Sequence, residues 1–392
     1  KLMRNHLGGL NAAAAYAADN LDLAFGGSWS YYSCPHWGEL DWVDGLDRSQ
    51  IGGRWYDNDV NKHDANLFAR ANWQVTDGLR LFGDLQYRYV SYRTWGVNDN
   101  FVSEEAGMQP IDVDKQYHFF NPRAGVSYTL AERSNFYLSF AIAQKEPTRS
   151  DFTDRYKFAA DDSYPSSEKL YDWELGYAYT APRLSLGVNL YYMKYKDQLV
   201  PTGMVNDGDD ALNVNVPDSY RRGVELSASW RATGWFTVGA NATFAQNRIE
   251  NYVDALKDSP TYGKELGDRT IAYSPDVIAN AFLDFHYRGF EAVLHTQYVG
   301  KQYFTNNENN ALSLDAYCVT NLNLAYTFRT RSARSVRLGL LINNLFNAEY
   351  ESNGYGYSYM DTWSGPAPVR IDEAFYFPQA PLNVLANVTV RF

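Results

Sequence analysis

The residues best suited to chemistry in this 392-residue chain are aromatics and carboxylates gathered in long polar stretches. The first stretch, residues 34–61, carries His36, Trp37, Trp42, Trp55 and Tyr56. The last, residues 350–376, carries Tyr355, Tyr357, Tyr359 and Trp363 among Gly354, Gly356 and Gly365. Large rings stack on flat or chelated ligands at small side-chain entropy cost. The same rings can instead pack a long loop against its neighbours, and type and spacing leave both uses open. The carboxylates raise the question of a cation. Asp57-Asn58-Asp59-Val60-Asn61 opens like a calcium loop, with oxygen ligands at alternate positions. Lys62, however, stands where the turn glycine belongs, and Phe68 where the bidentate glutamate belongs. Asp207, Asp209 and Asp210 form a second acidic cluster. A structural calcium on Asp57, Asp59, Asp207 and Asp209 is one expectation; a solvated acidic loop is the other.

Catalysis finds little support. There is no G-x-S-x-G, no H-E-x-x-H and no glycine-rich phosphate loop. The six histidines show no metal-ligand spacing. His286 and His295 flank the Arg288-Gly289 turn and are expected to approach each other across a hairpin, as polar wall residues rather than a metal site. Cys34 falls in a long connection and Cys318 in a strand pattern, so no disulfide is expected. The net charge of −11 argues against nucleic acid as a partner. Residues 34–61, 200–216 and 350–376 contribute −10 of it, so the charge sits in three connections. An anionic ligand there would need basic wall residues such as Arg70, Arg88 or Arg123 to offset the acids.

The elements that position these stretches follow from a period of two. In residues 382–392, Leu382, Val384, Ala386, Val388, Val390 and Phe392 fall on one face of a strand, and Asn383, Leu385, Asn387, Thr389 and Arg391 on the other. Leu186, Val188 and Leu190 alternate with Ser185, Gly187 and Asn189 in the same way. The pattern recurs about fifteen times, apolar on one face and mostly polar on the other. It predicts an all-β antiparallel barrel with lipid outside and water inside. The chain has 32 Tyr, 21 Phe and 10 Trp. Many of them, such as Trp230, Trp235, Tyr287 and Phe290, sit beside short turns where a headgroup belt would lie. There is no apolar run of transmembrane-helix length. Short turns are predicted near residues 18–20, 76–78, 131–134, 181–183, 233–234, 288–289 and 329–334, rich in Gly, Asn, Asp and Pro. Long connections are predicted at 34–61, 97–116, 148–166, 200–216, 249–272 and 350–376. Segregation of loop length by end is the habit of outer-membrane barrels.

Four segments, in order, resemble TonB-dependent outer-membrane receptors. They are Lys145-Glu146-Pro147-Thr148-Arg149-Ser150-Asp151-Phe152, then Ser167-Glu168 with Asp172-Trp173-Glu174-Leu175-Gly176-Tyr177, then Arg221-Arg222-Gly223-Val224-Glu225-Leu226, then Asn344-Leu345-Phe346-Asn347-Ala348-Glu349-Tyr350 ahead of a strand ending at Phe392. The resemblance implies a 22-strand barrel closed by a plug. These 392 residues correspond to its C-terminal portion, about fifteen strands, with plug, TonB box and first strands lying outside them. The lysine-led start is read as the middle of a longer precursor. The implied function is TonB-energised uptake of a scarce metal chelate or vitamin: siderophore, haem or cobalamin. A passive porin or adhesin barrel is the alternative. Implied partners are the lipid bilayer, the plug and N-terminal strands, the TonB complex, the ligand and a surface lipoprotein. Phe392 resembles the terminal aromatic read by the outer-membrane assembly machinery.

Overall fold

A computed structural model describes residues 1–42, 44–45, 51–105, 107–154, 164–205, 211–256 and 261–392. Fifteen strands make one antiparallel meander among these residues. They are β1 (His6–Ala17), β2 (Leu21–Ser33), β3 (Arg54–Gln74), β4 (Leu79–Ser103), β5 (Gly107–Ala131), β6 (Ser134–Lys145), β7 (Glu168–Thr180) and β8 (Leu184–Val205). The rest are β9 (Ala211–Arg231), β10 (Phe236–Ile249), β11 (Val277–Tyr287), β12 (Phe290–Val299), β13 (Tyr317–Phe328), β14 (Ser335–Asn343) and β15 (Asn383–Arg391). β15 pairs with β14, and β1 with β2, but β1 and β15 do not pair with each other, so the sheet is open between them.

Register turns the two-residue period into surfaces. Leu138, Leu175, Leu190, Val224, Phe244 and Val277 lie opposite one another in succession, an apolar hoop crossing β6 to β11. No second layer covers the outward residues: Leu338 is 45%, Val384 52% and Val388 65% exposed. That face is left to hydrocarbon, where closed or paired strands satisfy every backbone group.

The inner face is polar and internally bonded. Tyr137 donates to Asn189 Oδ1 at 2.8 Å, and Asn189 Nδ2 donates to Glu225 Oε2 at 3.2 Å. Gly176 lies between Tyr137 and Asn189 in the register, and a Cβ there would fall 1.9 Å from Tyr137 Cε1. Only glycine lets the tyrosine lie across the strand to reach its acceptor.

Two predicted connections are corrected. Residues 97–103 and 107–116 continue β4 and β5, each 25 residues long, and 200–205 and 211–216 continue β8 and β9. Strands of this length stand well above the roughly 9–11 residues that cross a bilayer. Polar residues on both faces made them read as loop. Above the membrane no lipid enforces alternation, while backbone pairing still holds the strands.

Candidate functional site

The buried apolar residues gather at the long-loop end, in three clusters rather than one core. Val60, Tyr92, Ile111, Val113 and Phe152 form the first, with Tyr32 and Tyr117 against it. Val200, Val216, Ile249, Tyr252 and Ile271 form the second. Phe304, Leu312 and Leu314 form the third. Asn306, fully buried, ties the 301–316 loop to two neighbours. It accepts from the Ala272 amide at 2.8 Å and donates to the Pro201 carbonyl at 2.6 Å.

The predicted ligand aromatics fall in two separate places. Trp37 lies on a short strand, His36–Glu39, paired with the start of β3. Arg54 covers its ring at 4.8 Å, and its Nε1 donates to Glu39 at 2.7 Å. Trp55 meets Tyr56 edge-on at 4.6 Å; Tyr56 is buried and Trp42 exposed. Burial, with the Arg149 charge adding to it, pushes His36 below the usual imidazole range. The second group lies on a hairpin of Glu351–Asp361 and Val369–Pro378. Tyr355 stacks on Phe375 at 4.8 Å and Tyr359 on Trp363 at 6.2 Å, while Tyr357 donates to Glu373 at 2.7 Å. The connection at 350–376 is thus a paired ribbon that displays one aromatic face. Among the described residues no ring contact joins the two groups.

The acidic expectation resolves differently at its two ends. Asp57 and Asp59 lie within β3, opposite Val97 and Trp95, and Asp57 pairs with Arg54 at 2.5 Å. That is extended backbone rather than a calcium loop. Asp207 and Asp209 lie outside the described residues. Among the described residues no group of three His, Cys, Asp or Glu gathers for a metal. His286 and His295 do not meet: His286 faces Glu291, and His295 faces Phe282. Both cysteines are unbridged, Cys34 buried and Cys318 exposed.

What sequence reasoning missed is the segment that leaves β6. Thr148 caps α1 (Arg149–Thr153), donating to Asp151 Oδ2 at 2.6 Å. The segment bridges the loop-end parts of β3 and β4 to that of β9. Arg149 donates to Asn58 on β3 at 2.8 Å and Asn98 on β4 at 3.1 Å. At its far side Asp151 accepts from Asn213 on β9 at 2.9 Å. Glu146 accepts from Lys62 at 2.6 Å and from both Arg88 amino groups at 2.8 and 2.9 Å. Asp64 takes the rest of the Arg88 fork at 2.5 and 3.0 Å. Glu146 lies just past β6, outside the membrane-crossing part. Burial alone would raise its pKa; the Arg88 and Lys62 hydrogen bonds outweigh that and hold it down at about 2. Arg88 was among the basic wall residues expected to offset the acids, but nothing local linked it to a glutamate 58 positions away.

The signature near the C-terminal strand acquires a physical role. Asn344, buried at 3% exposure and with φ of 51°, accepts from the Ala348 amide at 2.8 Å. Its Nδ2 donates to the carbonyls of Ala348 at 2.8 Å and Ala380 at 3.3 Å. Asn347 accepts from the Leu382 amide at 2.8 Å. The two asparagines clasp the base of the aromatic hairpin in a strand-end turn.

Comparison with known proteins places this architecture. The family model for "TonB dependent receptor-like, beta-barrel" matches residues 4–345. Pesticin receptor from Yersinia enterocolitica is 26% identical over 190 residues, 48% of this chain and 26% of that protein. The chain therefore spans about a quarter of the curated relatives it matches. Among solved structures, the ferric yersiniabactin uptake receptor FyuA from Yersinia pestis superposes with a TM-score of 0.67 at 17% identity, covering 100% of this chain and 54% of that one. The copper transporter OprC gives 0.73 at 17% identity, covering 100% and 57%. The ferric-catecholate import receptor Fiu from E. coli K12 gives 0.66 at 16%, covering 100% and 55%. A lipid-facing meander of this form, with its family model matched over most of its length, is a receptor barrel and not an enzyme: the chain belongs to the TonB-dependent receptor β-barrel family of the Gram-negative outer membrane.

Proposed function

We propose that this chain supplies the C-terminal part of a barrel that takes up a scarce metal chelate or vitamin across the outer membrane, energised by TonB. Siderophore, haem and cobalamin were the expected ligands. Solved structures named for ferric yersiniabactin, ferric catecholate and ferric citrate favour an iron chelate. A plug, a TonB-engaging segment and the strands that fill the gap between β1 and β15 come, on this reading, from outside these 392 residues.

The observation that carries the proposal is the contrast between the two ends of the sheet. One end has tight turns. The other carries stacked clusters, an aromatic ribbon and a charged segment that bridges three wall strands, which is apparatus for holding a ligand rather than for passive flow. Tyr355, Tyr357, Tyr359 and Trp363 are the proposed outer contacts, and His36, Trp37, Trp42, Trp55 and Tyr56 a second set on the opposite part of the mouth. Phe392, 92% exposed, is proposed as the assembly signal. Growth of a receptor-deletion strain on single iron or cobalamin sources, with and without TonB, tests the proposal. Restored growth that needs TonB supports it; growth that ignores TonB favours the passive barrel.

A further inference from the structure

We propose that residues 146–154 form a displaceable strap in which Glu146 occupies the place of an anionic ligand, so that the barrel's mouth selects chelates bearing carboxylate or phenolate oxygens. This deepens the uptake reading above and rests on it.

Three observations converge. First, the carboxylate of Glu146 is held as an anionic ligand would be. Arg88 presents both amino groups to it and Lys62 a third donor, from two different strands of the inner wall. Paired guanidinium donors are the geometry that matches a carboxylate. Without Glu146 the same wall holds Lys62 and Arg88 against Asp64 alone. Basic residues of this kind are what an anion needs to pass the acidic connections outside.

Second, the strap is fastened by polar ties along its length, including Gln109 to the Thr153 carbonyl at 2.8 Å and Asn100 to Asp154 at 3.2 Å, and not by a deep apolar face. Arg149 is tied to Asn58 and Asn98, and Asp151 to Asn213. Phe152 is its one side chain in the first apolar cluster, stacked on Tyr92 at 5.6 Å.

Third, the closed position leaves donors unanswered. Tyr92 Oη, Tyr117 Oη and Arg149 Nε are buried without a protein partner, and Tyr92 is only 8% exposed. Tyr92 and Tyr117 are diagonal neighbours on the inner face of β4 and β5. Burying unpartnered polar groups disfavours the closed state. Lifting the strap exposes two phenols and the two wall cations, Lys62 and Arg88, together. That is a donor set for an oxygen-rich anion, with strap and ligand competing for the same cations.

The test uses the full-length receptor in detergent and tryptophan fluorescence titration. The probes are ferric citrate, an anionic chelate, and ferrioxamine B, a chelate without free carboxylates. Glu146→Gln is expected to bind ferric citrate about tenfold tighter than wild type, since one competing charged contact is removed. Ferrioxamine B binding is expected to stay unchanged. The gain should shrink as sodium chloride is raised and vanish in Glu146→Gln with Arg88→Gln. Asn213→Ala with Gln109→Ala removes ties to Asp151 and Thr153 without changing charge and should tighten ferric citrate several-fold; it decides the matter if Glu146→Gln fails to fold. Equal affinity in wild type and both released variants, equal gains for both chelates, or no ferric citrate binding in any form overturns the strap. These equilibrium measurements need neither TonB nor uptake, so they stand apart from the growth assay.

Discussion

The ring of Phe304 packs against Gly354 so closely that a Cβ on the glycine would lie 2.7 Å from its Cζ. The Phe375 carbonyl would lie 2.7 Å away on the other side. Phe304 is buried, and Gly354 and Gly356 are what let the aromatic ribbon dock over it. Gly354→Val should lift the ribbon from its seat, at a cost of about 1–3 kcal/mol of local stability. Hydrogen exchange should speed up across 351–378 and 302–314 while the barrel strands keep their protection. Unchanged exchange in the ribbon would refute the docking role.

Asn344 serves three backbone groups from one buried side chain. Asn344→Ala strands them and places alanine at positive φ, so roughly 1–3 kcal/mol should be lost. Urea unfolding of the refolded barrel measures this. Asn344→Asp keeps the acceptor for Ala348 and loses the donor, so it should fall between wild type and alanine.

Leu175 sits in the apolar hoop, half-exposed toward lipid. Leu175→Arg should destabilise the folded barrel in vesicles by about 2–4 kcal/mol, the range for a cation near the bilayer midplane. The same exchange at Ser227, which faces the lumen, should cost much less. Equal costs would contradict the assignment of the faces.

Protonation of Glu146 should detach the strap. Its folded pKa of about 2 lies below the ordinary 4.5. A depressed carboxylate contributes its stability above the unfolded value and loses it as pH falls through the folded one. The ties at 146–154 should therefore be intact above about pH 4.5 and progressively lost toward pH 2. Exchange of the 146–154 amides against pH reads the effect, and Glu146→Gln should remove that acid dependence.

Deletion of Phe392 should reduce the receptor found in the outer membrane several-fold yet leave the refolded barrel's unfolding midpoint nearly unchanged. The exposed ring packs on little, so its loss removes a signal and not a contact. A parallel fall in midpoint would assign it a structural role instead.

The strands were legible because lipid imposes a rule on them. Leu186, Val188 and Leu190 can face only outward, and the alternation repeats wherever hydrocarbon covers the wall. Fifteen strands could be counted for that reason. Asn98, Asp99 and Asn100 lie where the rule lapses, and their strand character was hidden. The strap was hidden for another reason. Glu146 and Arg88, or Arg149 and Asn58, are separated by 58 and 91 positions, and no local spacing announces a partner across a lumen. The family signature flagged Lys145 to Phe152 and Asn344 to Tyr350 as worth attention, but the hydrogen bonds that give those residues work belong to the folded chain alone.

Dividing the buried apolar residues into three small clusters frees the exterior of the protein to change piecemeal. Drift that repacks Phe304, Leu312 and Leu314 touches a different set of residues from drift around Val200 and Ile249. Selection can therefore rework one recognition element at a time, while the wall beneath it goes on inserting in the membrane as before.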